Sequence, residues 1–321
     1  MSVAYLGPEG TFTHEAALAW AACRPGPAPA VVPLAEVGDV YAAVADGTHE
    51  LGVVAIENTV EGYVVPSLDA IVEARDVVAV DETVLEISFD AFVAPGHGEA
   101  SEVTAHPHGL AQCRRFIGSS GLTPVPAQSN AAACRDVGPH QVALGPSICG
   151  DLYGLTTLAR GVQDFRGART RFLTLARRAV ARDLLAAHRD DDVARGWRTM
   201  LAVTPVVTGP GVLARITAAF AGSGVNLSSL ITRPLKARDG WYVFVLTVDA
   251  APWQPGLRAV LRALLEDGSS LKTLGVFPVR GELDESVGVQ HLPGGGVTRD
   301  ASPAELDAAL VWAQTPPGAA R

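Results

Sequence analysis

The chain has 321 residues, 48% of them hydrophobic, and a formal charge of −9, enough for two or three domains with sizeable cores. The acidic balance excludes nonspecific binding to nucleic acid. Cys23, Cys113, Cys134 and Cys149 form no CxxC pair, which argues against a zinc site or a disulfide framework, and they read as small core residues.

The first strand, residues 3–6, begins at once, with no basic flank and no apolar run long enough to span a membrane, so a cytoplasmic location is expected. Gly7-Pro8-Glu9-Gly10-Thr11-Phe12 then turns into a helix over 11–22. The glycines permit a tight turn, and the helix start offers unpaired N–H groups to an anion, although a plain strand–helix turn looks the same. Val37, Val40, Tyr41 and Val44 form a helical stripe. Residues 51–56 are apolar throughout, as in a strand buried on both faces of a parallel sheet. Glu57, Asn58 and Thr59 follow that strand, where α/β sheets place ligand groups; they also suit a simple turn.

Leu68, Ile71 and Val72 mark another helix, and residues 77–93 carry β-rich runs. The strand 103–105 meets His106-Pro107 and a helix with Leu110, Cys113, Phe116 and Ile117 inward. Ser129 or Asn130 caps a helix over 131–137, and 142–144 is a strand. Thr170-Arg171-Phe172 opens a further strand: a hydroxyl, a forked cation and a ring suit a small anionic ring substrate. The alternation predicts α/β layers. Several helix starts at strand ends supply donors to anions without net charge, with Arg171 as the main full positive charge.

Residues 181–198 read as a charged linker with a helical stretch. A compact pattern follows over 199–280: strand 199–205, helix 211–222 with Val212, Leu213, Ile216 and Phe220 on one face, strands 226–236 and 241–248 around an Ala-Arg-Asp-Gly turn, helix 256–265, and strand 271–279. That βαββαβ order is ferredoxin-like. Residues 281–321 read as a loosely structured tail with one helical stretch at 303–314.

Taken in order, Tyr5-Leu-Gly-Pro-Glu-Gly-Thr-Phe12, Ile56-Glu-Asn-Thr-Val-Glu-Gly62, His106-Pro107, Ser129-Asn-Ala-Ala132, Tyr153-Gly-Leu155 and Thr170-Arg-Phe172 resemble the prephenate dehydratase family. The second module resembles the ACT domain attached to that family, with Gly211-Val212-Leu213 and Thr232-Arg233-Pro234 matching its two effector motifs. The resemblance implies a catalytic domain over 1–180 with two lobes like a type 2 periplasmic binding protein. Lobe one spans about 1–76 plus 161–180 and lobe two about 77–160.

The resemblance also implies a cofactor-free, metal-free loss of carboxylate and hydroxyl from prephenate, giving phenylpyruvate for phenylalanine synthesis. Thr170, Arg171 and Phe172 would be catalytic. Thr11, Phe12, Glu57, Asn58, Thr59, His106, Ser129, Asn130 and Ala131 would bind substrate. Gly211, Val212, Leu213, Thr232, Arg233 and Pro234 would bind phenylalanine as effector, in a homodimer or homotetramer.

Four places depart from the family pattern: Ala55, Tyr63, the pair Gly167-Ala168, and Ile231 in place of an acidic residue. They leave two other readings, a same-scaffold enzyme acting on arogenate or only decarboxylating prephenate, and a non-catalytic amino-acid-binding regulator.

Overall fold

In a computed structural model, residues 1–24, 26–189, 196–206, 209–235, 241–280, 296–297 and 300–310 are described. The chain falls into two units, Met1–Arg280 and Gly281–Arg321. The first unit opens with β1 (Ser2–Leu6), α1 (Phe12–Ala22), β2 (Ala30–Leu34), α2 (Val37–Asp46), β3 (Leu51–Asn58), the short β4 (Gly62–Tyr63), α3 (Val65–Glu73) and β5 (Val77–Glu86). A second group follows: β6 (Asp90–Val93), β7 (Glu102–Ala105), α4 (Pro107–Gln112), α5 (Arg114–Ser120), β8 (Thr123–Pro126), α6 (Asn130–Arg135), β9 (Gln141–Gly145), α7 (Ile148–Tyr153) and β10 (Thr156–Ala159). Then come β11 (Arg169–Arg177), α8 (Arg178–Arg189), β12 (Trp197–Thr204), α9 (Val212–Gly222), β13 (Leu227–Pro234), β14 (Tyr242–Val248), α10 (Pro255–Glu266) and β15 (Ser270–Pro278). In the second unit, Ser302 and Glu305 exchange hydrogen bonds at the start of α11 (Pro303–Leu310).

The strands make two mixed sheets. The larger runs β13-β14-β12-β15-β5-β11-β3-β1-β2, with β4 on β3; the smaller runs β10-β6-β9-β7-β8. Within the larger, β1, β2 and β3 are parallel, and β11 lies antiparallel between β3 and β5. The chain crosses between sheets twice, from β5 to β6 and from β10 back to β11. Helix α2 sits close on β3 because Gly52 has no side chain: a Cβ there would lie 2.8 Å from Val40 and 2.9 Å from Val44.

The strands β12, β13, β14 and β15 with α9 and α10 follow the βαββαβ order, in the spatial order β13-β14-β12-β15. This module is not a bead on a string. Its β15 pairs parallel with β5 at Gly275 and Ala79, extending the larger sheet across the seam. Val243, Val245 and Leu274 share one apolar cluster with Leu68, Ile71 and Leu173.

Several expectations change. Val77–Glu86, read as part of lobe two, belongs to the first sheet, where its register with β11 runs from Glu86 to Val77. The expected linker carries α8, whose Ala181 and Leu185 are buried against β-sheet residues, so the helical part of it packs into the core. The expected helix after His106 is broken at Cys113 into α4 and α5. Leu213 is exposed rather than inward, and Cys23 is exposed while the other three cysteines are buried. The hairpin turn at 237–240, most of the tail and the far end of its expected helix lie outside the described residues.

Candidate active site

The turn between β1 and α1 is pinned from both sides. Gly10 has φ +81, a conformation that suits glycine, and a Cβ there would approach Cys149 Sγ at 3.1 Å and the Tyr153 ring at 3.2 Å. Its N–H donates to His14 Nδ1 at 3.0 Å, so His14 must hold that nitrogen unprotonated. Burial lowers the His14 pKa, opposed by Glu9, and the ring stacks on Tyr5 with centroids 4.9 Å apart. Thr11 caps α1 by accepting from the His14 N–H at 3.2 Å and donates to the Pro8 carbonyl at 3.1 Å. From the other side, the Tyr153 hydroxyl donates to the Glu9 carbonyl at 2.6 Å.

The ends of β3 and β11 place Asn58 beside Thr170. The Asn58 Oδ1 accepts from the N–H groups of Val60 at 2.8 Å and Glu61 at 3.0 Å. Those two donors settle the amide orientation, so Nδ2 is the group that donates to Thr170 Oγ1, at 2.8 Å. The Thr170 oxygen therefore acts as an acceptor toward Asn58, and its own hydrogen remains to be donated elsewhere. Thr59 Oγ1 accepts from the Arg169 N–H at 2.9 Å and ties the same two strand ends together.

Across from them, α4 and α6 start at the ends of β7 and β8. His106 caps α4, its Nδ1 accepting from the His108 N–H, while its own N–H donates to Asn130 Oδ1 at 2.9 Å. Burial and the neighbouring His108 lower the His106 pKa, favouring the neutral ring. Ser129 caps α6 by accepting from the Ala132 N–H at 2.9 Å. Phe12 and Phe89 meet edge to face, with centroids 5.3 Å apart.

These walls enclose a cleft of about 1210 Å³, a size that suits a small-molecule site. Of the expected residues, Thr11, Phe12, Asn58, His106, Ser129, Asn130, Ala131, Thr170 and Phe172 line it. Glu57, Thr59 and Arg171 do not. Side chains alternate along β11, so Arg171 leaves the sheet on the face opposite Thr170.

There Arg171 pairs with Glu57 and approaches Glu82 at 3.7 Å. Arg198 reaches the same Glu82 at 3.6 Å and Asp249 at 3.3 Å. Burial alone lowers the Arg171 pKa, but Glu57 and Glu82 outweigh it and the net shift is upward. Burial raises the Glu82 pKa; Arg198, the Arg280 N–H and Arg171 oppose the rise, and Asp81 adds to it. Arg171 is thus a buried structural charge rather than the cleft's cation.

Among the described residues, the arginine that lines the cleft is Arg135, in the last turn of α6 and paired with Asp136 at 2.7 Å. Sequence reading missed it, along with Glu9, Tyr63 and Tyr153 as lining groups. Tyr153 had a signal in its Tyr-Gly-Leu motif; Arg135 had none. Gly211, Val212 and Leu213 sit at the start of α9, with Gly211 as its cap at φ +84. Thr232, Arg233 and Pro234 end β13, and Arg233 makes a bidentate pair with Asp69 of α3, at 2.7 and 2.8 Å. Among the described residues, no three His, Cys, Asp or Glu side chains gather as metal ligands, and no helix is long and apolar enough to cross a membrane.

A family model described as prephenate dehydratase matches residues 3–180. A prephenate dehydratase of Mycolicibacterium gilvum is 31% identical over 325 residues, covering 97% of this chain and 97% of its own. A solved prephenate dehydratase in complex with L-Phe, from Arthrobacter aurescens, superposes with a TM-score of 0.73 at 27% identity, covering 97% and 98%. A structure described as GqqA, a novel type of quorum quenching acylase, superposes with a TM-score of 0.74 at 27% identity, covering 87% and 98%.

Proposed function

Because this chain belongs to the prephenate dehydratase family, we propose that its cleft converts prephenate to phenylpyruvate, carbon dioxide and water. The bond from the ring to its carboxylate breaks, its electron pair enters the ring, and the C4 oxygen leaves para to it. Aromatisation supplies the driving force, and no cofactor takes part. The observation that carries this reading is the Asn58–Thr170 hydrogen bond, which leaves the Thr170 hydroxyl free to donate to the departing oxygen, with solvent replacing the proton that turns that oxygen into water. Phe12 and Phe172 give the ring an apolar bed. His106, Arg135 and the start of α1 at Thr11 are the groups that meet the substrate's carboxylates. Ser129, Asn130 and Ala131 complete that wall, and Glu57, Thr59 and Arg171 hold the strand ends that carry Asn58 and Thr170.

The domain reading belongs to the same proposal: a catalytic domain over 1–180 of the two-lobed periplasmic-binding-protein type, a connecting segment at 181–198 and an ACT module over 199–280. Its effector residues are Gly211, Val212, Leu213, Thr232, Arg233 and Pro234, and the assembly is a homodimer or homotetramer in the cytoplasm. The relative in complex with L-Phe supports an amino-acid effector. Ile231 and the engagement of Arg233 by Asp69 weaken that response here. Tyr63 in the cleft lining favours a second reading, the same scaffold acting on arogenate or stopping at decarboxylation.

Purified protein with prephenate, followed by ultraviolet absorbance and mass spectrometry, decides between them. Phenylpyruvate is expected; a non-aromatic decarboxylated product supports the second reading, and no reaction refutes both uses of prephenate.

A further inference from the structure

Among the described residues, Tyr63 is the one of the cleft wall whose polar tip reaches into the small module. It lies in β4, directly opposite Glu57 on β3 and next to the pairing of Gly62 with Asn58. The residue is part of the cleft wall, its side chain shares the face of its cross-strand partner Glu57 and packs on the apolar cluster of Leu68 and Ile71, and its hydroxyl meets Ser229 Oγ of β13 at 2.7 Å. Ser229 itself is not in the cleft lining.

The same wall continues into α3, and the module holds that helix twice more. Arg233 of β13 forks onto Asp69. Lys272 of β15 donates to the end carbonyls of α3, those of Ile71 at 3.3 Å, Val72 at 2.6 Å and Ala74 at 2.6 Å, where a cation suits the helix dipole. Ile231 and Leu235 pack into the apolar cluster that contains Leu68 and Ile71, with Tyr63 against the same cluster. Three polar ties and an apolar seam thus join this wall segment to β13 and β15, the two outer strands of the module's four.

We propose that Ser229 is a positioning residue for substrate binding: through the Tyr63 hydroxyl it fixes the cleft wall beside Asn58 and Thr170. The inference rests on the function proposed above and extends it to a residue outside the cleft and outside the expected effector motifs. Because the link bears on the wall and not on the Thr170 proton, it acts on the fit of the substrate before it acts on the chemical step.

The test is a double-mutant cycle on the full chain with prephenate. Ser229→Ala and Tyr63→Phe should each raise KM about three- to tenfold, the scale of one lost neutral hydrogen bond, with kcat within about twofold. The double variant should be no worse than either single one, because both remove the same bond. Ser229→Thr, which keeps a hydroxyl, should restore KM. Amide exchange over residues 62–66 should be faster in Ser229→Ala than in the native chain.

An unchanged KM in Ser229→Ala beside a raised KM in Tyr63→Phe would mean that Tyr63 acts on substrate directly, and the proposal falls. Additive effects in the double variant, or a lower kcat with unchanged KM, overturn it as well. If the native chain does not turn over prephenate, the functional reading is what fails. Amide exchange then judges the strut alone, and an unchanged exchange rate in Ser229→Ala rejects it.

Discussion

The front and back of β11 use polar side chains in opposite ways. On the front, Thr170 is nearly buried, shares one hydrogen bond with Asn58, and keeps a proton for the cleft. On the back, Arg171, Glu57, Glu82, Arg198 and Asp249 form a chain of charges that runs from β3 through β11 and β5 to β12 and the residue after β14. Among the described residues, Glu82 Oε2 there accepts no hydrogen bond, although two guanidiniums stand within 3.7 Å. Two residues adjacent in the chain therefore stand in different surroundings: one presents a hydroxyl to the cleft, the other belongs to the charges that join the first sheet to the small module. A motif read as a unit splits into chemistry and scaffold once the strand's alternation is applied.

The largest effect should come from breaking the back. Arg171→Leu leaves Glu57 and Glu82 without their shared cation, and removing one partner of a buried ion pair costs about 3–5 kcal/mol. Urea denaturation should show this as a lower midpoint. A fully stable variant with a raised KM would return Arg171 to the cleft. The seam comes next. At Gly275 a Cβ would lie 2.8 Å from Ala79 Cβ, so Gly275→Val should lower the melting temperature by an amount equivalent to about 1–3 kcal/mol.

The front has its own probe, which is milder. The His14 pKa in the fold is below the ordinary 6.5. Between those two values the unfolded chain binds more protons, so stability is full above pH 6.5 and is lost as pH falls through the lowered value. Protonation at Nδ1 also breaks the Gly10 bond. Melting temperatures across that range should decline in the native chain and flatten in His14→Gln; equal slopes would remove His14 from the effect.

The smallest expected effect is the amino-acid response. Calorimetry with L-phenylalanine should give weak heats, since Arg233 is already held by Asp69. Tight binding with inhibition, abolished by Gly211→Leu, would show that Arg233 exchanges partners.

The two faces also differ in how much of them the sequence carried. Thr170, Asn58 and His106 stand at strand ends, and apolar runs mark strand ends well, so their meeting in one cleft was legible. The partners of Arg171 were not. Glu82 and Arg198 lie far off in the chain, and no local pattern joins them to a Thr-Arg-Phe triplet. Periodicity identifies Val77–Glu86 as β structure but does not say which sheet a strand joins, and the strand pairs with β11 in the larger one. Of the strands left unread, β2, β8 and β10 are sheet edges and the two-residue β4 pairs with β3 off the main path; β2 and β8 carry Pro33, Pro124 and Pro126, as edges tolerate.

The division of labour on β11 is tested most directly by Thr170→Val, with kcat for prephenate and the urea midpoint measured on the same preparation. The variant keeps the side chain's shape and removes the proton. The account predicts phenylpyruvate formation slower by about 10²-fold or more, a smaller change in KM, and a midpoint close to native. A near-native kcat, or a loss explained entirely by a fallen midpoint, would contradict it.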